Sequence, residues 1–144
     1  MKKILSLLLL FIASLGYSQD WRTNFKEASS DAAAQSKPIV LVFSGSDWCA
    51  PCIKLDKNIW QSEAFKNYAT ANYILERADF PRKKQNQLEG ELEKQNRGLA
   101  EKYNSDGIFP LVVVLDAKGK VLGKTTYKNV SPEEYIQELN DFIK

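Results

Sequence analysis

Two cysteines lie three positions apart in the motif Trp48-Cys49-Ala50-Pro51-Cys52, and they are the only cysteines of the 144-residue chain. The apolar run before the motif, residues 38–43, is typical of a buried strand, whereas the residues after it have helical spacing. Cys49 is therefore expected near a helix N-terminus, where partial positive charge and free N–H groups favour a thiolate. The pattern predicts thiol–disulfide exchange, in which Cys49 attacks a disulfide and Cys52 resolves the mixed disulfide.

Two other interpretations of the cysteine pair are a structural disulfide and a metal site. A bridge between residues 49 and 52 would close a very small loop, so it would remove little entropy from the unfolded chain. Structural zinc takes four ligands, usually cysteine or histidine, and the chain has no histidine and no further cysteine. We therefore expect no metal site within a single chain.

The first 18 residues have the pattern of an export signal. Two lysines follow the initial methionine, residues 4–15 are largely apolar, and small residues precede Gln19. The apolar run is shorter than the about 20 residues that span a bilayer. We expect residues 1–18 to be cleaved and residues 19–144 to form a single domain that is periplasmic or secreted. An uncleaved membrane anchor is the alternative.

The charge of the chain is nearly balanced. It has 20 lysines and arginines against 18 aspartates and glutamates, and removal of Lys2 and Lys3 with the signal leaves 18 against 18. No basic patch indicates binding to nucleic acid or to an anionic membrane surface. We expect a monomer with no nucleic-acid partner.

The rest of the chain alternates between helical and strand-like patterns. Helical spacing is found in residues 21–36, in a stretch from about residue 49 that is either one kinked helix or two, in an exposed polar stretch from residue 82 to about 103, and from residue 131 onward. Strand-like runs cover residues 38–43, 73–80, 111–115 and 120–127. Residues 44–47 are a loop that should bring Trp48 and Cys49 to the surface. After the N-terminal helix this order predicts a central mixed sheet covered on both faces.

With this order of elements, the chain resembles the thioredoxin superfamily over residues 21–144. The resemblance rests on the Trp-Cys-Ala-Pro-Cys motif after the first strand, on Phe109-Pro110 before the third, and on the strand–strand–helix ending. Residues 43–49 and 79–82 further resemble small exported bacterial thioredoxin-like proteins. The resemblance implies a thioredoxin-like α/β fold, with residues 82–95 as an extra polar helical insertion before a cis-proline.

The same resemblance implies roles for individual residues. Cys49 would be the nucleophile and Cys52 the resolving thiol, while Pro110 would be a cis-proline that faces the pair. The substrate-binding residues that it implies are Trp48, Ala50, Pro51, Phe109 and Pro110. An ordinary trans bond at Pro110 and a purely structural Trp48 are the alternatives.

The chain also departs from the family pattern. Typical thioredoxins carry a buried aspartate in the first strand, which assists deprotonation of the resolving cysteine, whereas Val42 falls at the matching position here. Asp47 is close in sequence, but its role is open. Ile108 and Leu111 stand where thioredoxins often have glycine and threonine. These differences leave the partner and the redox direction open.

The leading hypothesis is an exported thiol–disulfide oxidoreductase that reduces protein disulfides. The dipeptide Ala50-Pro51 resembles the reducing Gly-Pro type more than the oxidising types that contain histidine. No flavin or nucleotide motif is present, so we expect no cofactor besides the cysteine pair. Electrons would come from another dithiol protein or from a membrane relay. The alternatives are a disulfide oxidase or isomerase, and a non-catalytic peptide-binding module with the same fold.

Overall fold

A five-stranded mixed sheet, in the order β1-β3-β2-β4-β5, forms the centre of the molecule. The computed structural model describes residues 19–144, so the expected export signal lies outside the described residues. The strands are β1 (Trp21–Arg22), β2 (Ile39–Ser44), β3 (Ile74–Asp79), β4 (Leu111–Leu115) and β5 (Val121–Thr125). β3 runs parallel to β1 and β2, whereas β4 runs antiparallel to β2 and β5. The predicted mixed sheet is therefore confirmed.

Helices cover both faces of this sheet. Within residues 19–144 they are α1 (Phe25–Gln35), α2 (Ala50–Leu55), α3 (Glu63–Asn72), α4 (Gly90–Tyr103) and α5 (Pro132–Ile143). Because neighbouring side chains of a strand point to opposite faces, Val40 and Val42 pack with α2, α3 and α5, while Leu41 packs with α1 and α4. The face that Val42 shares with α2 is the one that bears the cysteines. No helix of residues 19–144 is both long and apolar enough to cross a membrane.

The stretch after the cysteines is two α-helices rather than one kinked helix. A π-helical turn, Asp56–Trp60, follows α2, and Ser62 then caps the N-terminus of α3 by accepting a hydrogen bond from the Phe65 N–H at 3.2 Å. The buried Ile59 and Trp60 of the π turn anchor this connection in the core.

The first predicted helix begins later than expected. Residues 21 and 22 form β1, and the Asn24 side chain caps α1 by accepting hydrogen bonds from the N–H groups of Lys26 and Glu27. Pairing with the edge of β3 satisfies backbone groups that a helix would otherwise satisfy locally. The Trp21 ring also packs 5.3 Å from the ring of Trp60, which fixes this strand on the core.

The polar insertion is a loop followed by a helix, so the prediction of a helix from residue 82 is wrong for its first part. Residues 84–86 form a single 3₁₀ turn, and α4 begins only at Gly90, whose φ of 61° is left-handed. A residue in that conformation interrupts a right-handed helix and favours glycine. The loop backbone is instead bound by the side chain of Asp47.

Candidate active site

The cysteine pair lies at the junction between β2 and α2. After β2 ends at Ser44, the carbonyl of Gly45 accepts hydrogen bonds from the N–H groups of Trp48 and Cys49, at 3.2 and 2.9 Å. Cys49 is the N-cap of α2, and its Sγ accepts a hydrogen bond from the Cys52 N–H at 3.3 Å. This turn places both sulfur atoms at the first turn of the helix.

Cys49 and Cys52 are joined by a disulfide bond. The two residues are only 4% and 3% exposed, so the expectation that Cys49 lies at the surface is wrong for this oxidised state. Its sulfur is directed to Cys52 rather than to solvent. The Gly45 N–H donates to the Cys52 Sγ at 3.5 Å, which gives the resolving sulfur a backbone donor of its own.

An aromatic surface lies beside the disulfide. The Trp48 Nε1–H donates to the carbonyl of Phe80 at 2.7 Å, and the Trp48 ring meets the ring of Phe109 edge-on at 5.4 Å. The peptide bond between Phe109 and Pro110 is cis, and Pro110 lines a cavity together with Cys52. The structure thus brings together Trp48, Phe109 and Pro110, three of the residues expected to bind substrate.

The other two residues expected to bind substrate, Ala50 and Pro51, are exposed in the first turn of α2. Proline is tolerated there because the first N–H groups of a helix have no partner within the helix. Their small, exposed side chains leave the approach to the sulfur atoms open.

Asp56 and Arg77 form an ion pair in the cavity behind the resolving cysteine. The cavity has a volume of about 160 Å³, and its walls include Val42, Cys52, Asp56, Arg77 and Pro110. The Asp56 Oδ1 lies 3.0 Å from the Arg77 Nη2, and the Gln61 side-chain amide also donates to the Asp56 carboxylate. Neither Asp56 nor Arg77 was expected from the sequence. The one available signal was spacing, because Asp56 lies four residues after Cys52 and so on the same helix face.

Asp47, whose role the sequence left open, connects the motif to the insertion. Its carboxylate accepts hydrogen bonds from the N–H groups of Arg82 and Lys83, both at 2.9 Å, and from the Asn86 side chain at 3.1 Å. The pKa of Asp47 is held below its ordinary value, most strongly by the Arg82 N–H and then by the Asn86 amide and by the N–H and charge of Lys83. The insertion is therefore attached directly to the residues that precede Cys49.

A family model described as thioredoxin-like matches residues 20–117. The chain belongs to the thioredoxin-like family. The disulfide bond reductase DsbH of Chlamydia pneumoniae is 34% identical to it over 121 residues, which are 84% of this chain and 71% of that protein. These findings confirm the family that the sequence resembles. They also identify the chain, with its Cys49–Cys52 disulfide, as a thiol–disulfide oxidoreductase.

Solved structures of this family agree with the architecture described above. A structure of a DsbH oxidoreductase superposes with a TM-score of 0.81 at 32% identity, covering 88% of this chain and 85% of that one. A disulphide isomerase from Xylella fastidiosa Temecula1 superposes with a TM-score of 0.61 at 20% identity, covering 92% of this chain and 99% of that one. The second likeness shows the fold alone, and both confirm the thioredoxin-like α/β class.

The oxidoreductase also contains a buried carboxylate outside this site. Glu76 of β3 is 0% exposed, and among residues 19–144 neither of its carboxylate oxygens has a hydrogen-bond partner. Burial raises the pKa of Glu76 to about 8, while the charge of Arg22 opposes this shift and that of Glu27 adds to it. Glu76 pairs in register with Leu41, whose side chain is on the face opposite the cysteines, so it is not part of the active site.

Proposed function

We propose that this oxidoreductase reduces disulfide bonds of proteins outside the cytoplasm, with Cys49 and Cys52 as its only redox groups. The observation that carries the proposal is its 34% identity to a protein named as a disulfide bond reductase. The motif supports the same direction, because Ala50-Pro51 contains no histidine of the oxidising type.

The reaction begins from the reduced dithiol. The Cys49 thiolate accepts a hydrogen bond from the Cys52 N–H and lies at the positive end of α2, both of which stabilise negative charge on sulfur. The thiolate attacks one sulfur of the substrate disulfide. A Cys49–substrate bond forms, the substrate S–S bond breaks, and the second substrate sulfur leaves as a thiolate.

Resolution of the mixed disulfide requires Cys52 to lose its proton. We infer that Asp56 accepts it, since Asp56 is the carboxylate that lines the cavity beside Cys52, and Arg77 balances its charge. A cavity of about 160 Å³ has room for water to carry the proton between the two groups. The Cys52 thiolate then attacks the Cys49 sulfur, which forms the Cys49–Cys52 bond and releases the reduced substrate.

A protein substrate would dock against the exposed apolar residues around the pair. Trp48 and Phe109 form one wall. Ile53, which directly follows Cys52, and Ile108, which directly precedes Phe109, are 50% and 45% exposed. Exposed apolar surface that surrounds a reactive group is typical of a protein-binding site. After each cycle another dithiol protein or a membrane relay must reduce the Cys49–Cys52 bond, because the pair holds only two electrons.

The reduction potential of the Cys49–Cys52 pair tests the direction of the reaction. The protein lacking residues 1–18 would be equilibrated in dithiothreitol or glutathione buffers of known potential, alkylated and weighed by mass spectrometry. A potential of about −250 mV or lower supports a reductase, whereas about −120 to −180 mV would contradict it and favour an oxidase or isomerase. The variant Cys52→Ser, which cannot form the bond, should take up one alkyl group at every potential and serves as the control.

Export would be tested separately with the full chain. Expression in a bacterium, followed by fractionation and mass spectrometry, should give a periplasmic or secreted product that begins at Gln19. An uncut chain in the membrane fraction would show instead that residues 1–18 are retained as an anchor.

A further inference from the structure

A loop of three consecutive cations, Arg82, Lys83 and Lys84, lies beside the cysteine pair. We call these three residues the basic loop. Asp47, two positions before Cys49, holds its backbone through hydrogen bonds from the N–H groups of Arg82 and Lys83. The Arg82 guanidinium carbon lies 3.6 Å from the centre of the Trp48 ring, which directly precedes the nucleophile. The basic loop is thus fixed in place next to Trp48, the residue before the reactive cysteine.

The charges of the basic loop are free to meet a partner. All three side chains are exposed, and among residues 19–144 none of them takes part in a salt bridge or donates a side-chain hydrogen bond. By contrast, Arg77 and Arg97 are paired with carboxylates. A guanidinium that stacks on an aromatic ring through its face keeps its N–H edge available for a carboxylate.

Other charged residues near the motif do not cancel the positive charge of the basic loop. Asp47 offsets one of the three positive charges, and Asp79, which accepts hydrogen bonds from the Ser46 N–H and hydroxyl, offsets a second. Asp106 is an exposed acid in the loop before Phe109, whereas Lys54 and Lys57 are exposed cations that follow Cys52. Near the motif, five cations (Arg82, Lys83, Lys84, Lys54 and Lys57) therefore outnumber three acids (Asp47, Asp79 and Asp106).

We propose that the basic loop selects substrate proteins with acidic residues beside the cysteine that is attacked. Trp48 directly precedes Cys49 in the sequence, and its ring contacts the ring of Phe109. A substrate segment that reaches both Cys49 and Phe109 therefore passes the Trp48 ring and the guanidinium stacked on it. A carboxylate at that point gains a charge-assisted hydrogen bond, and a lysine or arginine is repelled. The inference rests on the proposed exchange chemistry and concerns its substrate.

The selectivity should act on the first chemical step. In that step a bond forms between the Cys49 sulfur and a peptide sulfur, and the peptide S–S bond breaks to release a thiolate that stays on the same peptide. Opposite charges accelerate the encounter, so the second-order rate constant rises for acidic substrates. Because salt screens exposed charges, the preference should weaken as ionic strength rises.

The test uses the reduced Cys52→Ser variant, which stops at the mixed disulfide. Three cyclic peptides with one internal disulfide would differ only at the two positions that flank one cysteine, which are both Asp, both Gln or both Lys. We expect the Asp peptide to react about tenfold faster than the Lys peptide at low salt, with a smaller ratio in about 0.5 M salt. Using the ratio of rates cancels any change in the intrinsic reactivity of Cys49.

Two double variants test whether the preference for acidic peptides comes from the basic loop. Arg82→Gln with Lys84→Gln should bring the Asp to Lys ratio close to one, and the rate with the neutral Gln peptide serves as the reference within each variant. Lys118→Gln with Lys120→Gln removes the same charge from the turn after β4, at the end of the sheet away from Pro110, and should keep the preference.

The outcomes separate this inference from the proposed function. Equal rates for the three peptides, or an equal loss of preference in both double variants, would overturn the role of the basic loop and leave the exchange chemistry intact. No mixed disulfide with any peptide would overturn the proposed function and the selectivity together.

Discussion

Asp56 pairs with Arg77 at 3.0 Å, and the pair lines the cavity that the resolving Cys52 also lines. The strand position at which typical thioredoxins place their buried aspartate is occupied by Val42, which lines the same cavity. The carboxylate therefore reaches this space from the π-helical turn that continues α2. In the proposed reaction, the proton acceptor of Cys52 would thus come from a different element than the family pattern suggests.

Asp56→Asn should slow the resolution of the mixed disulfide at pH 7 by about 100-fold or more, since general-base catalysis contributes about 10²- to 10⁴-fold to a rate. The attack by Cys49 should change much less, because its thiolate is stabilised by the Cys52 N–H. Rapid-mixing kinetics with a disulfide peptide, followed over a range of pH, separate the two steps. Glu63→Gln removes an exposed carboxylate from the first turn of α3 and serves as the control. Unchanged resolution in Asp56→Asn would exclude Asp56 as the acceptor.

Gly45→Ala should disturb the active-site tryptophan. A Cβ at residue 45 would overlap the indole of Trp48, whose N–H donates to the Phe80 carbonyl. We expect a loss of about 1–3 kcal/mol in the free energy of unfolding from this overpacking, together with slower attack on disulfide peptides. Urea unfolding and peptide kinetics measure the two effects.

Gly98→Ala is the matched control for Gly45→Ala. Nothing lies within 4 Å of a Cβ at residue 98, which is exposed in the middle of α4. Alanine should therefore stabilise the protein by about 0.5–1 kcal/mol without affecting exchange. Similar destabilisation by both substitutions would show that the contact with Trp48 is not the cause.

Asp47→Ala should release the basic loop. The substitution removes the acceptor for the N–H groups of Arg82 and Lys83 while leaving the backbone of β2 and α2 unchanged. Hydrogen exchange should show these two amides losing protection, because the side chain that accepts their hydrogen bonds is gone.

Asp116→Ala provides a comparison for that result. Asp116 accepts hydrogen bonds from the N–H groups of Lys118 and Lys120 in the turn before β5. Its loss should expose those amides but leave the amides of Arg82 and Lys83 protected. Full protection of the Arg82 and Lys83 amides in Asp47→Ala would mean that other contacts hold the basic loop.

Local patterns predicted the parts of this fold that depend on nearby residues. Three features could be predicted from the sequence: the position of the cysteines after a strand, the strand in residues 38–43 and the helix that starts at Ser131. Each follows from side-chain periodicity or from helix capping. Ser131 and Glu134 indeed form a capping box, with hydrogen bonds of 3.2 and 2.9 Å in opposite directions.

The parts that were missed depend on contacts between distant segments. A two-residue strand such as β1 has no periodicity, so only its pairing with β3 defines it. The leucines of residues 82–103 have helical spacing, but Asp47 binds the first N–H groups of that stretch from 35 residues away. Asp56 was overlooked because its partner, Arg77, lies on β3, 21 residues further along the chain.

Glu76 should make the stability of the oxidised protein depend on pH. Burial raises its pKa from 4.5 to about 8 in the folded protein. Between these values the folded state holds a proton that the unfolded state has released, so the free energy of unfolding falls as pH rises. The decline should begin near pH 4.5 and end above pH 8, and one unit of pKa shift corresponds to about 1.4 kcal/mol.

Urea unfolding of the disulfide-bonded protein between about pH 5 and 8.5 measures this slope. Glu76→Gln should remove it, since an amide does not titrate in this range, and Glu76→Leu should in addition raise the stability at high pH because no buried charge remains. Glu63→Gln, which changes an exposed carboxylate, should keep the slope of the parent protein. Constant stability of the parent protein over this range would show that Glu76 stays ionised in the fold. A slope that persists in Glu76→Gln would show that another group titrates.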